Sequence, residues 1–205
     1  MWSPGDNVIR SVCVFAASSE GARPTYGEVA ARLGRLLVEQ GMTLVYGAGK
    51  VGLMGAVAEA VRDAGGSIVG VIPDRLNIPA LTFSDCDELI ITRTMSERKA
   101  VMTERSDGFV VLPGGFGTLE EFFEVLVLKQ LGYHNKPIVF LNSEGAFDGL
   151  MAHFAELVDS DLVREDQCDL FSVASTPEAA MAALTADSER VVGDKWGVAP
   201  KAECP

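Results

Sequence analysis

Long apolar runs, clustered cysteines, paired histidines and an excess of basic side chains are all missing from this 205-residue sequence. No stretch reaches the roughly 18–20 apolar residues of a membrane-spanning helix. The amino terminus, MWSPGDNVIRSVCVFAASS, has no basic segment leading into a continuous apolar one. A soluble, cytoplasmic protein with reduced thiols and no membrane partner is therefore expected. Cys13, Cys86, Cys168 and Cys204 are scattered with no CxxC, and His134 and His153 form no HxxxH or HExxH, so no metal site is expected. Lys and Arg number 17 against 29 Asp and Glu, a formal net charge of −12. Nucleic acid is not an expected partner, because binding it requires Lys and Arg to neutralise phosphates. A small anion in a locally positive pocket remains compatible with the acidic balance.

What the chain does have is 48% hydrophobic residues, enough for one compact domain and little room for two. Apolar segments of two kinds alternate. VIRSVCVFAASS (8–19), TLVYGAG (43–49), SIVGVIP (67–73), ELIITRT (88–94), GFVVLPGG (108–115), KPIVFLN (136–142) and LFSVAS (170–175) read as strands, the last a short edge strand. Between them, helical patterns cover 24–41, 52–65, 95–106, 118–132, 145–162 and 176–187; Thr176 and Pro177 mark the start of the last one. Strands that are continuously apolar, rather than alternating, are buried on both faces. The pattern predicts an α/β, Rossmann-like, doubly wound parallel sheet in three αβα layers. One domain over 8–187 is expected, followed by a flexible tail over 188–205.

In such a sheet, ligands bind beyond the carboxyl ends of the strands. Four strand ends carry chemistry. The first closes on Ser18 and Ser19, hydroxyls suited to capping a turn or to holding phosphate or ribose. The second, YGAGKVG, places Gly47, Gly49 and Gly52 in the GxGxxG spacing of dinucleotide sites, with Asp74 after the next strand as a possible ribose ligand. The same glycines serve equally for a tight turn with close helix packing, or as the wall of a nucleotide site without redox chemistry. The third, TMSERKAVM, puts Arg98 and Lys99 early in a helix, where the helix dipole disfavours cations. An anionic ligand or an acidic neighbour such as Glu121 would compensate them.

The fourth, LPGGFGTLEE, is the most informative. Glycines 114, 115 and 117 let a ligand approach bare backbone. A helix beginning near Thr118 points unpaired N–H groups at that loop, and the Thr118 hydroxyl adds to an anion site fit for a phosphate. Glu120 and Glu121 occupy the first turn. Acids there stabilise the helix terminus, but consecutive helical residues point about 100° apart. One of the two can face a pocket, and the other serves the helix or its neighbours.

Taken together, YGAGKVGLMGAVAEA, MSERKAVM and LPGGFGTLEE resemble the LONELY GUY family of cytokinin-activating phosphoribohydrolases over roughly residues 8–187. Relatives often carry the label lysine decarboxylase, which no set of residues here supports. The resemblance implies a Rossmann-like homodimer that needs no cofactor. It implies binding of a nucleoside 5′-monophosphate and hydrolysis of its N-glycosidic bond, with adenine or an N6-substituted adenine as base. Carried over by motif, Arg98 and Glu121 are the catalytic pair. Substrate-binding positions are Ser18, Ser19, Gly47, Gly49, Glu88, Lys99, Gly114, Gly115, Phe116, Gly117, Thr118, Leu119 and Glu120. Two stretches depart from the family pattern. The first strand ends Ala16-Ala17-Ser18-Ser19 where many relatives have Cys-Gly-Ser-Ser, and 74–87 differs from the usual segment, expected to border the base. Rival readings are a dinucleotide-dependent oxidoreductase, a noncatalytic nucleotide-binding module and a general purine-monophosphate nucleosidase.

Overall fold

The computed structural model describes residues 8–187; the expected tail at 188–205 lies outside the described residues. Seven parallel strands form one sheet: β1 (Ser11–Phe15), β2 (Thr43–Tyr46), β3 (Ile68–Pro73), β4 (Glu88–Thr92), β5 (Gly108–Val111), β6 (Ile138–Leu141) and β7 (Ser172–Ala174). Their spatial order is β4-β3-β2-β1-β5-β6-β7. The chain steps outward from β1 to β4, then returns to β5 on the other side of β1. That reversal makes the β1/β5 boundary the switch point, where the loops of an open α/β sheet separate and leave a crevice.

The helices are α1 (Pro24–Glu39), α2 (Gly52–Asp63), α3 (Met95–Glu104), α4 (Phe116–Gln130), α5 (Asp148–Asp159) and α6 (Pro177–Asp187). They divide between two cores. Val12 and Val14 of β1 join Leu33 and Leu37 of α1, Val57 of α2 and Leu184 of α6. Cys13 and Phe15, the alternate residues of the same strand, join Met102 of α3 with Phe122 and Val125 of α4. Successive strand side chains point to opposite faces, so a strand covered on both sides must be apolar at every position. This is the α/β, Rossmann-like doubly wound architecture that the alternation predicts.

Two local details bear on the site. The α4 helix is seated by a cluster of phenylalanine rings: Phe122 lies 4.4 Å from Phe140 between centroids and 6.0 Å from Phe171. Such pairs contribute about 0.5–1.5 kcal/mol each beyond area burial. They also fix the rotation of the helix and hence the direction of the neighbouring Glu121. The α3 helix is pinned by Thr94, whose side chain accepts from Glu97 N at 3.1 Å, while the Glu97 carboxylate accepts from Arg93 N at 2.9 Å. This near-capping-box arrangement satisfies amides at the helix start and sets the phase at which Arg98 leaves the helix.

Candidate active site

Beyond the carboxyl ends of the strands, the loops are tied to one another through Ala17. Its N–H donates to Pro113 O (3.2 Å), and its carbonyl accepts from Leu53 N (2.9 Å) and Met54 N (3.2 Å). The first-turn amides of α2 are thereby satisfied by the loop after β1. Gly52, at φ +66°, makes the approach possible: a Cβ there would lie 2.8 Å from Ala17 O and Ser19 O. The GxGxxG helix therefore offers no open anion site, and the space it would need for a pyrophosphate is filled by protein.

The start of α4 is the opposite case. The helix begins at Phe116, two residues before the expected Thr118, because Gly115 takes the N-cap position in an extended conformation. Glycine has no side chain to cap the helix, and the amides of Phe116, Gly117 and Thr118 have no acceptor in the described residues. Nothing lies within 4 Å of where a Cβ would sit on Gly115 or Gly117. Thr118 is buried, and its side chain packs so closely over Gly114 that any Cβ at 114 would overlap it. A cavity of about 390 Å³ opens beside this loop, bordered by Ser19, Tyr26, Gly114, Gly115 and Leu119. Ser19 Oγ accepts from Gly21 N at 3.3 Å, and exposed Ser18 stands in the same loop. The Phe116 ring is 94% exposed at the rim.

On the α3 side of the same helix lies the charged centre. Arg98 is 7% and Glu121 8% exposed. Arg98 Nη1 donates to Glu121 Oε1 at 2.6 Å, and Arg98 Nε donates to Val71 O at 3.1 Å. A charge-assisted bond of this kind is shorter and stronger than a neutral one. Burial pushes the Glu121 carboxyl above the ordinary carboxylate range, and the Arg98 guanidinium works against that rise. Lys99 turns to the outside of α4, where its ammonium is held between Glu120 and Glu124. Partial burial works against the ammonium, but the two carboxylates outweigh it and hold its pKa above the ordinary lysine value. Of the paired acids, Glu121 is thus buried against Arg98, while Glu120 is exposed and serves Lys99.

The expected residues separate accordingly. Arg98 and Glu121 are brought into contact, and Gly114, Gly115, Phe116, Gly117, Thr118 and Leu119 form or border the loop beside them. At Gly47 and Gly49 the Met54 side chain lies against the position a Cβ would take. Glu88 stands apart from these residues. It is the first residue of β4, at the amino end of a strand of 5 residues, and it pairs with Arg105 at the far end of α3. A strand rises about 3.3 Å per residue, so the length of β4 separates Glu88 from the ligand rim. Segment 74–87 is anchored to the loop after β2: Lys50 N donates to Leu81 O and Phe83 N to Ala48 O, both at 2.9 Å.

Two participants escape a reading of the sequence. Glu124 has a signal, since like charges at i and i+4 (Glu120 and Glu124) repel unless a cation bridges them. The Thr94–Glu97 pair has the T-x-x-E pattern of a capping box. Among the described residues no group of three His, Cys, Asp or Glu side chains has the geometry to hold a metal ion. No described helix is long and apolar enough to cross a membrane.

A family model described as "Possible lysine decarboxylase" matches residues 54–184. A rice protein (Oryza sativa subsp. japonica), named probable cytokinin riboside 5′-monophosphate phosphoribohydrolase LOGL9, is 46% identical over 170 residues. That match covers 83% of this chain and 74% of the relative. Cytokinin riboside 5′-monophosphate phosphoribohydrolase LOG5 of Arabidopsis thaliana is 39% identical over 202 residues, covering 96% of this chain and 88% of its own.

This chain belongs to the LOG family. Its LOG motifs are the ones that meet in space, since MSERK supplies Arg98 and PGGFGTLEE supplies Glu121. The molybdenum cofactor carrier protein of Chlamydomonas reinhardtii superposes with a TM-score of 0.68 at 23% identity, over 88% of this chain and 99% of that one. The molybdenum cofactor binding protein of Rippkaea orientalis gives 0.66, also at 23%, over 86% and 96%. At that identity the likeness shows the fold alone, so the LOG fold is shared beyond the LOG sequences.

Proposed function

We propose that this chain hydrolyses the N-glycosidic bond of adenosine 5′-monophosphates, including N6-substituted ones, and releases the base and ribose 5-phosphate. The observation that carries this reading is the buried Arg98–Glu121 pair, whose glutamate stands on the same helix as an uncapped N-terminus. Membership of the LOG family and the printed activity of its relatives support it.

Cleavage of the C1′–N bond builds positive charge on the ribose and negative charge on the departing base, an oxocarbenium-like transition state. The α4 amides of Phe116, Gly117 and Thr118, with the helix dipole behind them, hold the 5′-phosphate. Glu121 lies three to five residues further along α4 than these amides, roughly 4.5–7.5 Å along the axis at 1.5 Å per residue, a spacing of the order of a ribose 5-phosphate. Glu121 Oε2, which accepts no hydrogen bond from the described residues, grips the ribose hydroxyls, faces the cationic ring and orients the attacking water. Water delivers its hydroxyl to C1′, and its proton ends on the base. Arg98 holds Oε1 and keeps the carboxylate ionised against the effect of burial. Binding free energy from the remote phosphate positions C1′.

The decarboxylase description finds no support in the lysines beside the site. Lys99 is fixed as an ammonium by two carboxylates, and Lys50 donates to Pro79 O at 3.3 Å. The same residues would serve a general purine-monophosphate nucleosidase. The working state is a cytoplasmic homodimer. Phe123 and Val127, exposed along one face of α4, with Leu131 just past its end, support a partner subunit there. Product chromatography after incubation with AMP and with isopentenyladenosine monophosphate tests the reaction and the base preference together. Free base from either supports it; bound nucleotide without released base marks a noncatalytic module. Glu121→Ala is expected to fold and to lose about 10²–10³ in rate; near-normal turnover would remove the glutamate from the mechanism. The raised carboxyl pKa sets the sign of the acid limb. Activity that needs the carboxylate is present above that pKa and is lost as pH falls through it, at a pH higher than an ordinary glutamate would give.

A further inference from the structure

We infer that Gly47 is a positioning residue whose missing side chain is the seat of the Arg98 guanidinium. The first glycine of the GxGxxG loop then acts on the ion pair with Glu121 instead of touching nucleotide. This rests on the assignment of Glu121 and Arg98 to the reaction.

Three nitrogens of Arg98 are placed by three different elements. Nε is held by Val71 O on β3 and Nη1 by Glu121 on α4. Nη2 lies over Gly47, just past β2, so closely that a methyl carbon there would overlap it and come within 2.9 Å of Cζ. The Met54 thioether methyl, 2.8 Å from the same point, closes the other side. Gly49 meets the Met54 side chain but not Arg98, and the later glycines of this stretch meet main chain. A Cβ on Gly52 or Gly55 would strike main-chain atoms, of Ala17, Ser18 and Ser19 in one case and Lys50 in the other. Those two are required by the fold. At Gly47 the obstructing atoms are the ends of two flexible side chains, one of which belongs to the reacting pair. A larger residue can therefore be accommodated, but only by swinging the guanidinium away from Glu121. Arg is the residue whose planar fork needs such a flat seat, whereas the slim ammonium of Lys does not.

The experiment is a double-mutant cycle of Gly47→Ala against Arg98→Lys, read by 13C NMR titration of the Glu121 carboxyl and by kcat and KM on AMP. In the Arg98 background, Gly47→Ala is expected to raise the Glu121 pKa by about one unit as its counter-charge withdraws. It should also lower kcat roughly tenfold with little change in KM. In the Arg98→Lys background, adding Gly47→Ala should change neither. A Glu121 titration in Gly47→Ala that superimposes on wild type would overturn the proposal, as would an equal cost in both backgrounds. If Gly47→Ala fails to fold, the double variant lacks the colliding nitrogen and should fold again; failure of both would show that the guanidinium is not what excludes a side chain at 47, and would overturn the seat. Wild-type protein that hydrolyses no nucleotide sinks the enzymatic reading, while the titration cycle still decides the role of Gly47.

Discussion

Two glycine-rich loops follow two strands of one sheet and open two helices, yet they are built for opposite ends. In the loop after β2, every glycine that matters is pressed against protein. Ala17 O takes the first amides of α2, and Arg98 and Met54 fill the room over Gly47. In the loop after β5, Gly115 and Gly117 face empty space, and the first amides of α4 have no acceptor among the described residues. The same residue type thus answers two needs: close packing in one loop and an exposed backbone in the other. A helix N-terminus binds an anion only if its donors are still available, and that condition separates α4 from α2.

The largest effect that tests this contrast is expected at Gly52. Alanine there must adopt φ +66° and meets three main-chain atoms at 2.8 Å. Left-handed strain and overpacking together should cost about 3 kcal/mol, or roughly 6–12 °C in Tm for a chain of this size. An unchanged melting temperature would mean that the closed loop is not closed. Next comes Gly115→Ala. The extended backbone at φ −96° accepts alanine, and its methyl enters open space. Stability should hold, while KM for a nucleotide 5′-monophosphate rises roughly tenfold, about 1.4 kcal/mol. Equal KM values would place the phosphate elsewhere. The smallest effect is expected at Gly117, already helical. Alanine there should stabilise α4 by up to about 1 kcal/mol through helix propensity, seen as a rise in the denaturant midpoint, and should still weaken phosphate binding. A variant both more stable and equally tight would erase the distinction between the loops.

Much of this was legible without coordinates, because the signals were local. Continuous apolar runs marked the strands, and Thr176-Pro177 marked α6, where Ala179 N donates to Thr176 Oγ1 at 3.2 Å. The geometry that splits Glu120 from Glu121 follows from helical periodicity. Which of them turns inward does not follow, because that depends on the phenylalanine cluster fixing the rotation of α4. The place of Glu88 was not legible, because a motif position says nothing about which end of a strand a residue occupies; its strand starts there, and the ligand rim is where strands finish. Glu124 and the Thr94–Glu97 pair had readable patterns, but each acquires meaning only through Lys99 and Arg98 and the meeting of α3 with α4.

The amino-acid order by itself determined the alternation of strands and helices, the burial of the sheet on both faces, and the short list of loops able to hold an anion. Tertiary structure alone decided which of those loops stayed open. The carbonyl that occupies the amides of α2 comes from the loop after β1, and the guanidinium that fills Gly47 comes from α3. Competition for a hydrogen-bond donor or for a few cubic ångströms is settled by whichever distant segment arrives there, and no local pattern encodes that arrival.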